Sequence, residues 1–269
     1  LRLDPQAVAE TMAEVAATEV MPRFRKLSRA EIRRKHGDET VTVADEAAER
    51  ALEPRLRALI PGSVVVGEEA AAADATVLGL LAGDDPVWVV DPIDGTRNFA
   101  SGKADFGMMV ALVRHNEILA GWIYDPVANR TLVAERGSGA WRDGARIARP
   151  DDPPAEDRAL RGTISYLFFP EPPRERLRAK AKEGLGPPAD RSCAARIYAD
   201  LAEGRQHFAL YRNMKPWDHL PGALIVAEAG GRVAKWDGSP YRPTDTAGGI
   251  LAACDGAVWE RIRLFLASA

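Results

Sequence analysis

Two cysteines, Cys193 and Cys254, are too few in 269 residues for a disulfide framework or a cysteine-rich zinc site. Histidine is scarce too: with only four scattered along the chain, any metal is expected on oxygen donors. An excess of one charge is also missing. The net charge of −3 announces no surface for a polyanion, and nucleic-acid binding is not indicated. No apolar run approaches the length of a membrane span, and no charged-then-apolar leader is visible. The default expectation is a cytoplasmic protein without membrane contact. Internal repeats are absent, and low complexity is confined to the alanines of 70–75.

What is present is ordinary globular composition, 46% hydrophobic and 28% charged. The length suits one large domain or two intimately packed halves. Residues 150–154, bracketed by Pro150 and Pro154, form the best linker and divide the chain into 1–149 and 150–269. Asp4-Pro5 reads as an N-cap and first helical residue, opening a helix to about Arg25. Residues 28–40 are polar and basic, either a solvated loop or a mobile flap that approaches a substrate. Residues 70–85 form at most a weak helix. Residues 106–113 and 117–124 form a hairpin about Arg114-His115-Asn116, and 131–134 add a strand. After the linker, strands are expected at 162–168, 207–210, 232–235 and 249–253, with helices at 174–182, 193–202 and 257–266. The first half thus reads as helices plus an antiparallel sheet, the second as alternating strands and helices.

The chain is organised around Val89-Val90-Asp91-Pro92-Ile93-Asp94-Gly95-Thr96-Arg97-Asn98-Phe99. A short apolar run there ends in two carboxylates, a glycine and a threonine, like a strand carrying charge at its tip. Pro92 fixes its own φ and biases Asp91 away from helix, so the two acids are held close. They repel unless a cation lies between them. Gly95 permits a tight turn, after which the N–H groups of Gly95, Thr96 and Arg97 can converge on an anion. The run is therefore either a cation site beside an anion site, which suggests phosphate chemistry, or an acidic turn in which Asp94 caps a helix.

Other acids stand at strand ends or helix starts. Thr42-Val43-Ala44-Asp45 opens a helix that Pro61-Gly62 ends. Ser63 to Gly67 is a β-branched strand running into Glu68 and Glu69. Trp217-Asp218 precedes an apolar helix closed by Gly230-Gly231, with Asp218 as N-cap and Pro221 in the first turn. Asp45, Glu68, Asp91, Asp94 and Asp218 make up the acid set. Such a set suits hard divalent ions, and Mg²⁺ takes a few carboxylates while keeping waters for a substrate phosphate.

Gly67-Glu68-Glu69, the 91–99 run, and Trp217-Asp218 followed by Glu228-Ala229-Gly230-Gly231 closely resemble the three signatures of the inositol monophosphatase family. The members are magnesium-dependent, lithium-sensitive phosphomonoesterases. The resemblance implies a fold of mixed α+β or α/β class, the layered α/β/α/β/α sandwich of the inositol monophosphatase and fructose-1,6-bisphosphatase type. It implies that Glu68, Asp91 and the Ile93 carbonyl hold one Mg²⁺ and that Asp91, Asp94 and Asp218 hold a second. A third, weaker ion near Glu68 is also implied, with Mn²⁺ as an alternative ion and Ca²⁺ or Li⁺ as inhibitory occupants. Thr96, hydrogen-bonded to Asp45, would with Glu68 orient and deprotonate the attacking water. The N–H groups of Gly95 and Thr96 would receive phosphate oxygens, and a homodimer is implied.

On the substrate side the match weakens. The family's acid seven residues before the Trp-Asp aspartate, which holds inositol hydroxyls, is Tyr211 here. The family's Gly-Thr-Ala segment is replaced by Cys193-Ala194-Ala195-Arg196 after Arg191-Ser192. Tyr211 offers one hydrogen bond where a carboxylate offers two acceptor atoms. Arg191, Ala194, Arg196 and Tyr211 are thus the substrate-side candidates. Tyr211 is either a packed aromatic or, with Arg196, part of a cationic and aromatic rim; Arg196 is otherwise a solvated helical residue. The histidines and cysteines read as core or surface residues. The expected activity is hydrolysis of a small phosphate monoester, inositol monophosphate or a related polyol or sugar phosphate, by metal-activated water. Histidinol-phosphate, fructose-1,6-bisphosphate and 3′-phosphonucleotides are alternative substrates. A regulatory protein that binds RNA polymerase or RNA is the alternative of a different class, and the complete acid set favours catalysis.

Overall fold

The computed structural model describes residues 3–35, 39–148, 152–189 and 192–267. Asp4 caps α1 (Pro5–Val15), its carboxylate accepting the Gln6 N–H at 3.0 Å. The helix widens into a π-helical stretch over Ala16–Val20, so the segment expected as one α-helix is two pieces. The 28–40 segment holds a 3₁₀ turn, Arg29–Glu31, and a small hairpin of β1 (Ile32–Arg34) and β2 (Thr40–Thr42). Strand β1 buries no residue fully, so it carries no alternating pattern to betray it. Part of that segment, 36–38, lies outside the described residues.

Helix α2 (Val43–Leu59) starts in a capping box between Thr42 and Asp45. Then come β3 (Val64–Gly67) and α3 (Glu68–Ala73), followed by a 3₁₀ stretch, Ala75–Ala82. Next are β4 (Val87–Asp94), α4 (Thr96–Ala100), β5 (Gly107–Arg114) and β6 (Glu117–Asp125). Strands β7 (Arg130–Glu135), β8 (Gly139–Arg142) and β9 (Ala145–Arg146) complete a seven-stranded sheet in sequential order. Only β3 and β4 pair in parallel there. His115 and Asn116, with φ of 52° and 56°, supply the left-handed turn that a two-residue hairpin needs.

The remainder comprises β10 (Gly162–Ile164), α5 (Pro173–Gly184), α6 (Ala194–Ala202), β11 (Phe208–Tyr211) and α7 (Pro216–Glu228). Strands β12 (Arg232–Lys235) and β13 (Ile250–Ala253) and helix α8 (Gly256–Ala267) follow. The four strands are ordered β10-β11-β13-β12. Strand β10 stops short of the expected 162–168, and Tyr166–Phe168 form a 3₁₀ turn instead. Helix α7 also differs from expectation. Lys215 is its N-cap and Pro216 takes the first helical position, so Asp218 is the third helical residue and Pro221 lies inside the helix. Pro216 answers the first-turn preference that had been assigned to Pro221. Around Pro221 the helix presses on the sheet: a Cβ on Gly121 of β6 would come within 2.7 Å of the Pro221 carbonyl oxygen.

Side chains alternate across β4. Trp88 and Val90 pack with Val8, Met12, Leu52 and Leu56 of α1 and α2. Val87 and Val89 join a second cluster with Ile197, Leu220 and Leu224 of α6 and α7, which also takes in Ala209, Ile250 and Ala252 of the smaller sheet. The other face of that sheet, Phe208, Leu210, Leu251 and Ala253, packs on Trp259 and Ile262 of α8 and Leu177 of α5. The order is α/β/α/β/α, as expected, with both sheets covered on both faces. Helices α6 and α7 lie between the sheets and belong to both; the 149/150 boundary falls outside the described residues. Among the described residues no helix is long and apolar enough to cross a membrane.

Candidate active site

Strand β4 does not end at Asp91. It continues through Pro92 to Asp94, and the ladder shifts register between Asp91, opposite Met109, and Asp94, opposite Gly107. Pro92 has no N–H to offer, and the bulge re-aims the acids that flank it. The Ile93 N–H donates to Asp91 Oδ1 at 3.0 Å. Gly95, at φ 85°, is the N-cap of α4, so the reading of Asp94 as a helix cap is not the one adopted. A Cβ on Gly95 would lie 3.0 Å from the Asp105 carbonyl oxygen. One turn on, the Thr96 hydroxyl is 2.9 Å from the Ile93 carbonyl oxygen and 3.0 Å from Asp45 Oδ1.

Asp45 reaches Thr96 because its other oxygen is anchored. Oδ2 accepts the Thr42 N–H at 2.8 Å and the Thr42 hydroxyl at 2.5 Å. Burial pushes the Asp45 carboxyl up to about 7, against the hydrogen bonds from Thr42. Glu68 is placed by a different device. It is the first residue of α3, whose next two N–H groups, those of Glu69 and Ala70, donate to the carboxylate of Glu49 on α2 at 2.8 Å each. Glycine at position 67 leaves room for that carboxylate: a Cβ there would lie 2.2 Å from the Glu49 carboxyl carbon and push it aside.

Asp218, on the first turn of α7, faces Asp91 across the cavity they both line. Asp94 Oδ2 accepts the Ala195 N–H at 2.5 Å and the Cys193 thiol at 2.9 Å, tying β4 to the start of α6. Asp91, Asp94 and Asp218 all have carboxyls held above their ordinary range by burial first; for Asp91 and Asp218 the neighbouring acids come next. Two lysines oppose this charge from elsewhere in the chain. Lys35 lies 3.4 Å from Glu68 and 2.5 Å from Glu69. Lys215 lies 3.8 Å from Glu68 and 2.6 Å from Glu39.

Glu68, Asp91, Ile93, Asp94, Gly95, Thr96 and Asp218 line one cavity of about 330 Å³. Asp45 stands behind Thr96. Among the described residues no three His, Cys, Asp or Glu side chains are grouped closely enough to hold an ion as they stand. The donors nevertheless fit a hard divalent cation. They are carboxylates and a carbonyl, without sulfur or imidazole, and their burial and mutual repulsion are what a cation relieves.

The substrate-side candidates fare differently. Arg196 is turned away, ion-paired with Asp125 and 3.3 Å from the Ala104 carbonyl oxygen. Tyr211 is buried, its ring 5.7 Å from that of Tyr198 and 4.6 Å from that of His219. Ala194 is the first residue of α6, between the Cys193 and Ala195 that hold Asp94, and does not line the cavity. Neither Arg196 nor Tyr211 lines the cavity, so the expected rim is not formed; Arg191 lies outside the described residues. The reason is that Asp125, at the end of β6, captures the guanidinium, and stacking on Tyr198 holds the phenol inside. The wall consists instead of Glu39, Thr40, Arg97, Asn98, Leu167, Phe168, Ser192 and Lys215. Sequence reasoning passed over Glu49 and Lys215 and read Cys193 only as a core or surface residue; Lys35 is one of the cations of the 28–40 segment and does approach Glu68. Lys215 had a signal, its adjacency to Pro216-Trp217-Asp218.

Residues 4–263 match the inositol monophosphatase family. The chain belongs to that family. Over 200 residues, 74% of this chain and 72% of the relative, it is 33% identical to a Thermotoga maritima fructose-1,6-bisphosphatase/inositol-1-monophosphatase. It is also 28% identical over 262 residues to the Nus factor SuhB of Haemophilus influenzae, covering 95% of this chain and 93% of that one. Among solved structures, a Thermotoga maritima IMPase superposes with a TM-score of 0.81 at 26% identity, covering 97% of this chain and 95% of the other. Membership in this generally metal-dependent family supports phosphatase activity.

Proposed function

We propose that this inositol monophosphatase family member is a Mg²⁺-dependent hydrolase of a small phosphate monoester. The observation that carries the reading is the convergence of Glu68, Asp91, Asp94 and Asp218, from three elements, on one cavity beside the Gly95 and Thr96 backbone. Glu68, Asp91, Asp94, Asp218 and the Ile93 carbonyl would hold the cations, two or three in number. When bound, Mg²⁺ supplies Lewis acidity, making water a better nucleophile and stabilising the leaving oxygen. The rest falls to the chain itself. The Gly95 and Thr96 N–H groups donate to phosphate oxygens, as backbone donors at a helix start do. The Thr96 hydroxyl, fixed between Asp45 and the Ile93 carbonyl, orients the attacking water, whose one proton would pass to Glu68 or, through the Thr96 hydroxyl, to Asp45.

The relatives' names include fructose-1,6-bisphosphatase, inositol-1-monophosphatase and Nus factor, so they do not choose the organic group. The intact acid set favours catalysis over a purely regulatory role. Purified protein supplied with Mg²⁺ should release phosphate from small monoesters, and Li⁺ should inhibit the release. Absence of release from every monoester tried would sink this reading. A homodimer is proposed from the family resemblance, to be checked by sedimentation.

A further inference from the structure

We propose that the organic group of the substrate is a flat apolar ring seated on Leu167 and Phe168, not a polyol; this rests on the phosphomonoesterase reading. These two neighbours are 65% and 50% exposed, and both line the cavity that holds the acids. Single exposed apolar residues need no explanation, but an adjacent pair at the wall of a charged cavity does. The turn that carries them is fastened from several sides. The Ser165 N–H donates to the Leu210 carbonyl at 2.9 Å, joining the turn to the smaller sheet. Arg174 donates to the carbonyls of Phe169 at 2.9 Å and Leu167 at 3.4 Å, and the Arg178 guanidinium lies 5.2 Å from the centre of the Tyr166 ring.

The polar side of the wall points the same way. A polyol needs acceptors for its hydroxyls. Outside the four acids, the only carboxylate lining the cavity among the described residues is Glu39, which is bound to Lys215. The Ser192 hydroxyl, which accepts from the Asn98 amide at 3.0 Å, has one lone pair and its own proton left to offer. The Tyr211 hydroxyl has no hydrogen-bond partner among the described residues, but it is sealed behind the wall rather than in it. Thr40, Arg97 and Lys215 stand elsewhere on the wall, but hydroxyls set against Leu167 and Phe168 would lose their water uncompensated. A ring would lose nothing and would gain contact with the Phe168 face. At about 330 Å³ the cavity is near the small end of ligand sites, enough for a phosphate and one ring.

The test compares three alkyl monoesters with similar leaving groups: 2-phenylethyl phosphate, inositol 1-phosphate and glycerol 2-phosphate. Mg²⁺-supported kcat/KM should be highest for the phenylethyl ester, by about tenfold over either polyol. Phe168→Ala and Leu167→Ala should remove most of that preference through KM, with a much smaller loss on glycerol 2-phosphate. Preference for inositol 1-phosphate, or an equal loss on all three esters, would overturn the proposal. Binding of 2-phenylethylphosphonate with Mg²⁺, followed by calorimetry, is read independently of turnover. If no ester is cleaved, the phosphatase reading fails, and the binding result still decides. Tight binding weakened about tenfold by Phe168→Ala supports the ring site, and no binding or no effect of the substitution refutes it.

Discussion

The two ends of the cavity are built in opposite ways. At the phosphate end, Asp91 and Asp94 sit in the β4 ladder, Asp45 in a capping box, Glu68 at a helix start braced by Glu49, and Asp218 in the first turn of α7. At the other end, Leu167 and Phe168 stand half or more exposed on a 3₁₀ turn beyond the edge strand β10. The difference teaches which part of the site can vary. On the proposed function, groups that would meet a reacting phosphorus are fixed by packed regular structure, whereas groups that would choose the substrate stand on a turn whose residues can change at little cost to the fold.

The largest effect that would sharpen this contrast is Asp94→Asn. The amide keeps an acceptor for the Ala195 N–H but loses the charge, so phosphate release should fall by roughly 10³-fold while the melting temperature changes little. Retention of full activity would break the contrast at its strong end. Next comes Trp88→Ala, beneath the acids, where the side chain is wholly buried and its Nε1–H donates to the Ser63 hydroxyl at 3.1 Å. A loss of about 3–5 kcal/mol is expected in denaturant unfolding. Phe168→Ala should stay within about 0.5 kcal/mol in the same measurement. Similar losses for the two would mean that the rim is structural after all.

A third effect is thermodynamic. Because the carboxylates are buried close together, saturating Mg²⁺ should raise stability by about 2.7 kcal/mol at a hundred times its Kd. Chelation should reverse the gain, and Asp94→Asn should reduce it. Smaller than the effects of Trp88→Ala and of Mg²⁺ is that of Thr42→Ala, which removes the cap of α2 and one anchor of Asp45. It should cost about 1 kcal/mol in unfolding. Phosphate release should fall more than that stability loss explains, since Asp45 positions Thr96.

Legibility followed the same line. The 91–99 run, the Asp4-Pro5 helix start, the Thr42–Asp45 box and the hairpin at His115-Asn116 were readable because each depends on residues within a few positions of one another. The start of α7 was misplaced because two prolines competed for one first turn, and β1 went unseen because a strand without a buried face has no periodic signature. Arg196 was misread for a different reason. Its partner Asp125 lies 71 residues away, and no spacing rule connects them.

By itself the sequence determined where charge meets backbone: two acids on either side of Pro92, a glycine able to take positive φ, and a threonine at the start of a helix. Those are consequences of dihedral preference and short-range periodicity. Only the tertiary structure decided that Cys193 and Ala195 would grip Asp94 from about a hundred residues away. It likewise decided that Lys35 and Lys215 would flank Glu68, and that Tyr211 would be sealed under Tyr198 while Leu167 and Phe168 took the wall. The physical reason is that these meetings depend on how α6 and α7 pack between two sheets, which is settled by the burial of the whole core and not by any local run of residues.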